Sequence, residues 1–119
     1  MHLMGFYHYW VNVKMYHWTT QSDPRHRATD QLLSKILEQI DKFVEMYIAH
    51  CGIQHFQEDI PPIIIKPISE DEIMKCLDSW IDYIRTVAVP KTEGVRELTT
   101  ITDDMVNEIL QCKFFFRMK

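Results

Sequence analysis

The stretch that most restricts the fold is the long run between Pro24 and Gly52, because neither proline nor glycine interrupts it. At about 100° per residue, one apolar face collects Leu32, Ile36, Ile40, Phe43 and Tyr47. Ser22 or Asp23 can accept a free backbone N–H at the start, and proline suits a first helical turn. Gly52 can take the left-handed conformation that ends a helix. The run therefore predicts an amphipathic helix over residues 24–51.

Three further segments have the same helical spacing of apolar residues, and they predict helices over residues 5–18, 70–87 and 95–116. The third helix follows Ser69 and Glu72, which fit a reciprocal capping box. The apolar positions in chain order are Phe6, Trp10, Val13, Tyr16, Ile73, Leu77, Trp80, Ile81, Ile84, Leu98, Ile101, Met105, Ile109 and Leu110. At the end of the last helix, residues 114–116 are three phenylalanines, which cannot all point inward.

The long connection between the second and third helices contains three prolines, which exclude a helix interior. Its triplet Ile63, Ile64 and Ile65 has no predicted strand to pair with, so we expect an extended crossover that plugs one end of the core. The connections from the first to the second helix and from the third to the fourth are short, which favours two antiparallel helical hairpins. The chain is therefore predicted to be a single all-α domain over residues 1–119, a four-helix bundle of the ferritin-like type with a long crossover.

The composition and the net charge of the chain exclude several classes of function. The 46% hydrophobic content suits a packed core, and the net charge of −4 comes from interspersed acids and bases without a basic stripe for nucleic acid. No apolar run has the length needed to span a bilayer. Cys51, Cys76 and Cys112 form no CxxC pair and indicate reduced thiols. We expect a soluble protein, cytoplasmic or otherwise intracellular, that binds neither nucleic acid nor membrane.

One flank of the second helix carries four potential metal ligands. With His26 at zero on a helical wheel, Asp30 lies at about 40°, Asp41 at about 60° and Glu45 at about 100°. Acids at the border of an amphipathic helix are most often solvated. If the flank faces another protein surface instead, its imidazole and carboxylates suit iron. His2, His8, His50 and His55 are scattered without ligand spacing, so no role is assigned to them.

Together with the dipeptide His17-Trp18 on the first helix, the order His26, Asp30, Asp41 and Glu45 resembles the Dps branch of the ferritin-like family. The resemblance is strongest over the first two helices. It implies a homo-oligomer formed through the second helix, with an iron-oxidising site between two subunits. His17, His26 and Asp30 would come from one chain, and Asp41 and Glu45 from the other. The resemblance implies no catalytic residues apart from these metal ligands.

The chain also departs from that family. Only eight residues separate His17 from His26, fewer than is usual there, and the lysine-rich tail of some members is missing. Glu-x-x-His, which bundle-centred di-iron ferritins place on their helices, does not occur, so an intra-bundle di-iron site is not expected. An alternative is a short, diverged, non-catalytic relative of the kind found in large DNA viruses. Its partners would be other proteins of a larger shell, and a virion location would then be possible.

Overall fold

The computed structural model describes residues 3–53 and 62–118 of the chain. Four α-helices occupy most of them: α1 (Gly5–Thr19), α2 (Asp23–Cys51), α3 (Ile73–Tyr83) and α4 (Arg96–Arg117). No strand occurs in these two ranges, so the all-α, four-helix prediction is confirmed. Among the same residues, no helix combines the length and the apolar character needed to cross a membrane.

The core consists of the apolar stripes that helical spacing predicts. All five predicted positions of α2 and all five around α3 are buried, and burial of such side chains is the main favourable term in folding. Two predicted core positions behave differently. Leu110 is 43% exposed, whereas Trp10 is half-buried and donates its indole N–H to the carbonyl of Leu33 at 3.0 Å. Of the three phenylalanines near the C-terminus, Phe116 is buried and Phe114 is exposed, as expected.

The helices pack around a ring in the order α1, α2, α4, α3. Helix α2 packs against α1 and α4, and α3 packs against the same two helices. Within the described chain, α2 and α3 therefore occupy diagonal corners of the bundle. The connection between them has to pass from one corner to the opposite one, which a tight turn cannot do.

Both ends of α3 differ from the prediction of one helix over residues 70–87. Residues 70–72 form a turn, in which the backbone N–H of Ser69 donates to the Glu72 carboxylate at 3.2 Å. This is half of the expected capping box, since no side chain caps the start of α3. After Tyr83 the backbone continues as a π-helical turn (Ile84–Ala88) and a 3-10 turn (Val89–Thr92). Pro90 lies at the start of that 3-10 turn, where its missing N–H costs little.

The expectation that the isoleucine triplet plugs the core is wrong. Ile63, Ile64 and Ile65 are 42%, 63% and 55% exposed. The extended segment 62–69 is instead held by the buried side chain of Asn12, which donates to the carbonyl of Ile64 at 2.9 Å and accepts from the N–H of Lys66 at 3.0 Å. Because the Asn12 side chain on α1 holds this segment by its main chain, the three isoleucine side chains face outward. The earlier part of the connection, residues 54–61, lies outside the described residues.

Candidate metal centre at the α1–α2 corner

Two histidines meet where α1 ends and α2 begins. The linker between these helices is only three residues long, Thr20–Ser22, and Ser22 caps α2 by accepting the N–H of Arg25 at 3.3 Å. The tight joint stacks the His17 ring on the His26 ring, with centroids 3.9 Å apart and planes inclined by 20°. His17 is 4% exposed, whereas His26 is exposed. The short joint therefore brings the two predicted histidine ligands together.

The hydrogen bonds of Thr29 favour one tautomer of His17. A Thr29 hydroxyl that donates to the carbonyls of Arg25 at 2.8 Å and His26 at 3.1 Å can only accept from Nδ1 of His17, which lies 2.9 Å from its oxygen. In this tautomer the Nε2 atom of neutral His17 carries the lone pair. This Nε2 lies 3.8 Å from a carboxylate oxygen of Asp30.

His26 is oriented in the same way. Its Nδ1 lies 3.0 Å from the backbone carbonyl of His17, and because a carbonyl can only accept, Nδ1 is the donor. Both imidazoles thus use Nδ1–H to hold their orientation and leave Nε2 available. This is the usual arrangement of metal-binding histidines, in which the second ring nitrogen donates to a protein oxygen.

The electrostatic surroundings keep His17 in the form that binds metals. Burial lowers the pKa of its imidazole, and the neighbouring His26 and Lys14 lower it further. A weaker, opposite effect comes from Asp30, which raises the pKa of His17. The result is a pKa below the ordinary value of 6.5, so His17 is neutral at neutral pH. Neutral imidazole is the state that can coordinate a metal ion.

The carboxylates of the predicted site divide into two groups. Asp30 lies one helical turn after His26 and beside His17, so these three residues are at one corner. Asp41 and Glu45 are also exposed, but they lie about 16 Å and about 22 Å along α2 from Asp30. Among the described residues, no group of three His, Cys, Asp or Glu side chains is arranged to hold a metal ion. The predicted ligands of one chain therefore lie in two separated groups, which we call half-sites.

Trp18 lies beside the histidine pair but points away from the core. Its side chain is 65% exposed, and the ammonium of Lys14 lies 5.4 Å from the centre of its ring. Trp18 therefore does not pack on the core, although an aromatic residue at the end of a helix often does. Its exposed indole lies next to the potential ligands.

A cluster of polar side chains around Glu70, which was not predicted from the sequence, holds the same corner together. The Glu70 carboxylate accepts from the hydroxyls of Tyr16 at 2.9 Å and Thr20 at 2.5 Å, and from the guanidinium of Arg25 at 2.8 Å. The guanidinium also lies 4.9 Å from the centre of the Phe116 ring. These contacts join the end of α1, the start of α2, the turn before α3 and the end of α4. No local spacing signals this cluster, because Glu70 and Phe116 are far in the sequence from the stretch 16–25 that supplies its other members.

We predict that the Glu70 cluster stabilises the fold only while Glu70 is ionised. Burial raises the pKa of this carboxyl, but hydrogen bonds from Thr20, Tyr16 and Arg25 outweigh burial and hold the pKa below 4.5. The stabilisation is therefore complete above the unfolded pKa and lost as the pH falls through the folded one. Glu70→Gln should lower the free energy of unfolding by about 1 kcal/mol at about pH 7, since the carboxylate is half exposed.

Urea unfolding at about pH 7 and at about pH 3 measures this effect. We expect the difference between wild type and Glu70→Gln to shrink at the lower pH, because protonation of wild-type Glu70 increases as the pH falls towards its lowered pKa. Glu38→Gln removes one exposed carboxylate from α2 and serves as the control, with little effect at either pH. A Glu70→Gln deficit that is the same at both pH values would contradict the prediction.

The fold and this corner together define a class, an all-helical domain with an oriented histidine pair at the joint of its first two helices. The family model described as "Family of unknown function (DUF5856)" matches residues 17–115. The chain belongs to this family, and the matched region begins at His17 and contains all of α2, α3 and nearly all of α4. Neither the curated proteins nor the solved structures gave a match to this chain.

Proposed function

We propose that the protein binds Fe(II) between two copies of the chain and oxidises it there, as the resemblance to the Dps branch implies. The observation that supports this most is the pair of histidines, His17 and His26, whose Nδ1–H groups are held by protein oxygens and whose Nε2 atoms are left for a metal. Fe(II) would be the electron donor and dioxygen the acceptor. The carboxylates would hold the ferric product.

A two-fold symmetric pairing of α2 would join the two half-sites. If two copies of α2 pack antiparallel, residue i faces residue j of the partner at a constant sum of i and j. His26 with Glu45 and Asp30 with Asp41 have the same sum, so one axis near residues 35 and 36 satisfies both pairs. Within each half-site, the two residues on α2 have the i, i+4 spacing of residues on one helical face, so a single isologous interface can form both contacts at once.

The residues nearest that axis also suit an interface. The same sum pairs Leu37 of one copy with Ser34 of the other, and on a helical wheel both fall on the flank that carries the ligands. Leu37 is 39% exposed, and Ser34 is small and exposed. A leucine against a serine at the crossing point lets two helices approach closely. The pairing also brings the carboxylates of Asp30 and Asp41 face to face, which a bound cation would stabilise.

The decisive experiment is Fe(II) oxidation by dioxygen, followed by the absorbance of the ferric product. The wild-type protein should accelerate the reaction over buffer, and Asp41→Ala combined with Glu45→Ala should return it to the buffer rate. Glu38→Ala combined with Glu97→Ala removes the same charge from exposed positions and should leave the rate unchanged. Oxidation at the buffer rate by folded wild-type protein would contradict the proposal.

A second candidate is a non-catalytic, ferritin-like component of a larger protein shell, for example of a viral particle. The observation that favours it is the exposure of three large apolar side chains, since Trp18, Phe114 and Met118 are each more than half exposed. Such residues often mark contacts with other proteins. This candidate predicts a homo- or hetero-oligomer without iron oxidation, so the same measurement separates the two.

A further inference from the structure

A cavity of about 360 Å³ lies on another side of the molecule, between α1, the segment 62–68 and the beginning of α3. Its lining comes from His8, Tyr9, Asn12, Lys66, Ile68, Glu72, Lys75, Cys76 and Ser79. On α1, the lining residue nearest to His17 is Asn12, about 8 Å before it along the helix, and neither His17 nor His26 lines the cavity. The cavity is therefore separate from the histidine pair, and its volume suits a small molecule.

The charges around this cavity favour an anion. Lys66 and Lys75 both line it, and neither forms an ion pair with any carboxylate of residues 3–53 and 62–118. The lining has one carboxylate, that of Glu72, whose pKa is lowered by hydrogen bonds from Ser69 and by the two nearby lysines. Two ammonium groups against one carboxylate leave this concave surface with a net positive charge, which favours a negatively charged group.

The remaining walls are neutral and partly aromatic. The Tyr9 ring stacks on the buried Trp80 at 6.0 Å between centroids, with planes inclined by 12°, so this wall is rigid. Burial raises the pKa of the Cys76 thiol to about 11, so the thiol is uncharged at neutral pH and does not repel an anion. Ile68 adds an apolar surface, and Ser79 a hydroxyl at the exposed edge. These walls can accommodate an apolar body attached to the charged group.

We propose that this cavity binds a small organic anion, with its oxyanion at Lys66 and Lys75 and its apolar body against Tyr9 and Ile68. The ligand class is a phosphate monoester or a carboxylate with a single ring or a short hydrocarbon body. The proposal is independent of iron chemistry, because none of the residues that line the cavity is one of the predicted iron ligands.

Isothermal titration calorimetry with phenyl phosphate tests the proposal. The full-length protein should bind it saturably, more tightly than inorganic phosphate, which has no ring, and than phenol, which has no charge. Benzoate tests the carboxylate form of the same chemistry. Lys66→Ala combined with Lys75→Ala should weaken phenyl phosphate binding about tenfold or more. Lys35→Ala combined with Lys42→Ala removes two exposed lysines from α2 and should not change it.

A second variant keeps both lysines and changes the shape of the cavity. Ser79→Phe places a ring at the exposed edge of the cavity and should abolish phenyl phosphate binding, while circular dichroism shows an intact helical fold. Three results would overturn the proposal: no saturable binding by the wild type, equal weakening by the two lysine pairs, or equal affinity for phenyl phosphate and inorganic phosphate.

Discussion

Two inactive variants are expected to restore iron oxidation to each other when they are refolded together. One variant carries His26→Ala and Asp30→Ala, and the other carries Asp41→Ala and Glu45→Ala. All four residues are exposed, so neither variant should lose its fold. In a mixed dimer, one site lacks all four of the replaced ligands, and the other site has all of its ligands. Random pairing at equal amounts gives about half mixed dimers, and so about a quarter of the wild-type sites.

The control is the same mixture without refolding, in which the subunits stay in their original pairs. It should oxidise Fe(II) no faster than buffer if exchange is slow. Leu37→Arg provides a second check, because a charge at the centre of the proposed interface should prevent pairing and remove activity from the otherwise unchanged ligands. A single variant that retains full activity would show that its replaced residues are not ligands, and a refolded mixture that stays inactive would show that the ligands act within one chain.

Replacement of Trp80 is expected to have the largest effect on stability. Its side chain is the largest of the fully buried ones and stacks on Tyr9. Trp80→Ala should lower the free energy of unfolding by about 3–5 kcal/mol, a large share of the roughly 5–15 kcal/mol of an ordinary domain. Trp18→Ala is the matched control, and its exposed side chain should contribute about 0.5 kcal/mol or less.

Trp80→Phe separates the effect of packing from the effect of the indole N–H. Among the described residues, Trp80 Nε1 is buried without a hydrogen-bond partner. A buried donor without an acceptor costs about 1–3 kcal/mol, so its removal should offset part of the lost packing. We expect Trp80→Phe to be destabilised by about 2 kcal/mol or less in urea unfolding. A loss as large as that of Trp80→Ala would mean that the N–H has a partner.

Helices α2, α3 and α4 were predictable because each has a regular apolar stripe, whereas the apolar and aromatic residues of α1 are spread around the helix. Leu32 through Tyr47 on α2 follow the helical period closely, and burial of that stripe decides the structure more strongly than local preferences do. The end of α3 was less predictable. There, packing carries the helical backbone past Tyr83 through a π-helical turn and up to Pro90, although the proline suggested an earlier end.

Long-range polar contacts were the part that the sequence did not reveal. Asn12 anchors a segment more than fifty residues away, and the Glu70 cluster joins four separate segments. The histidine pair was anticipated from family resemblance, but the role of Thr29 was not. A threonine three residues after His26, on the side of the buried stripe, was the available signal, since its hydroxyl can bond to the preceding turn of the helix. Whether Asp41 and Glu45 complete the site stays a prediction.

The hydrogen bonds between Asn12 and the segment 62–69 have a consequence for how the sequence of this protein can change. Besides the carbonyl of His8 on its own helix, its amide contacts main-chain atoms of Ile64 and Lys66, which every residue type except proline at position 66 can offer. The side chains at positions 63–65 can thus be exchanged freely while the path of the polypeptide is retained. New surface chemistry can accumulate there without disturbing the bundle, as long as α1 keeps its asparagine.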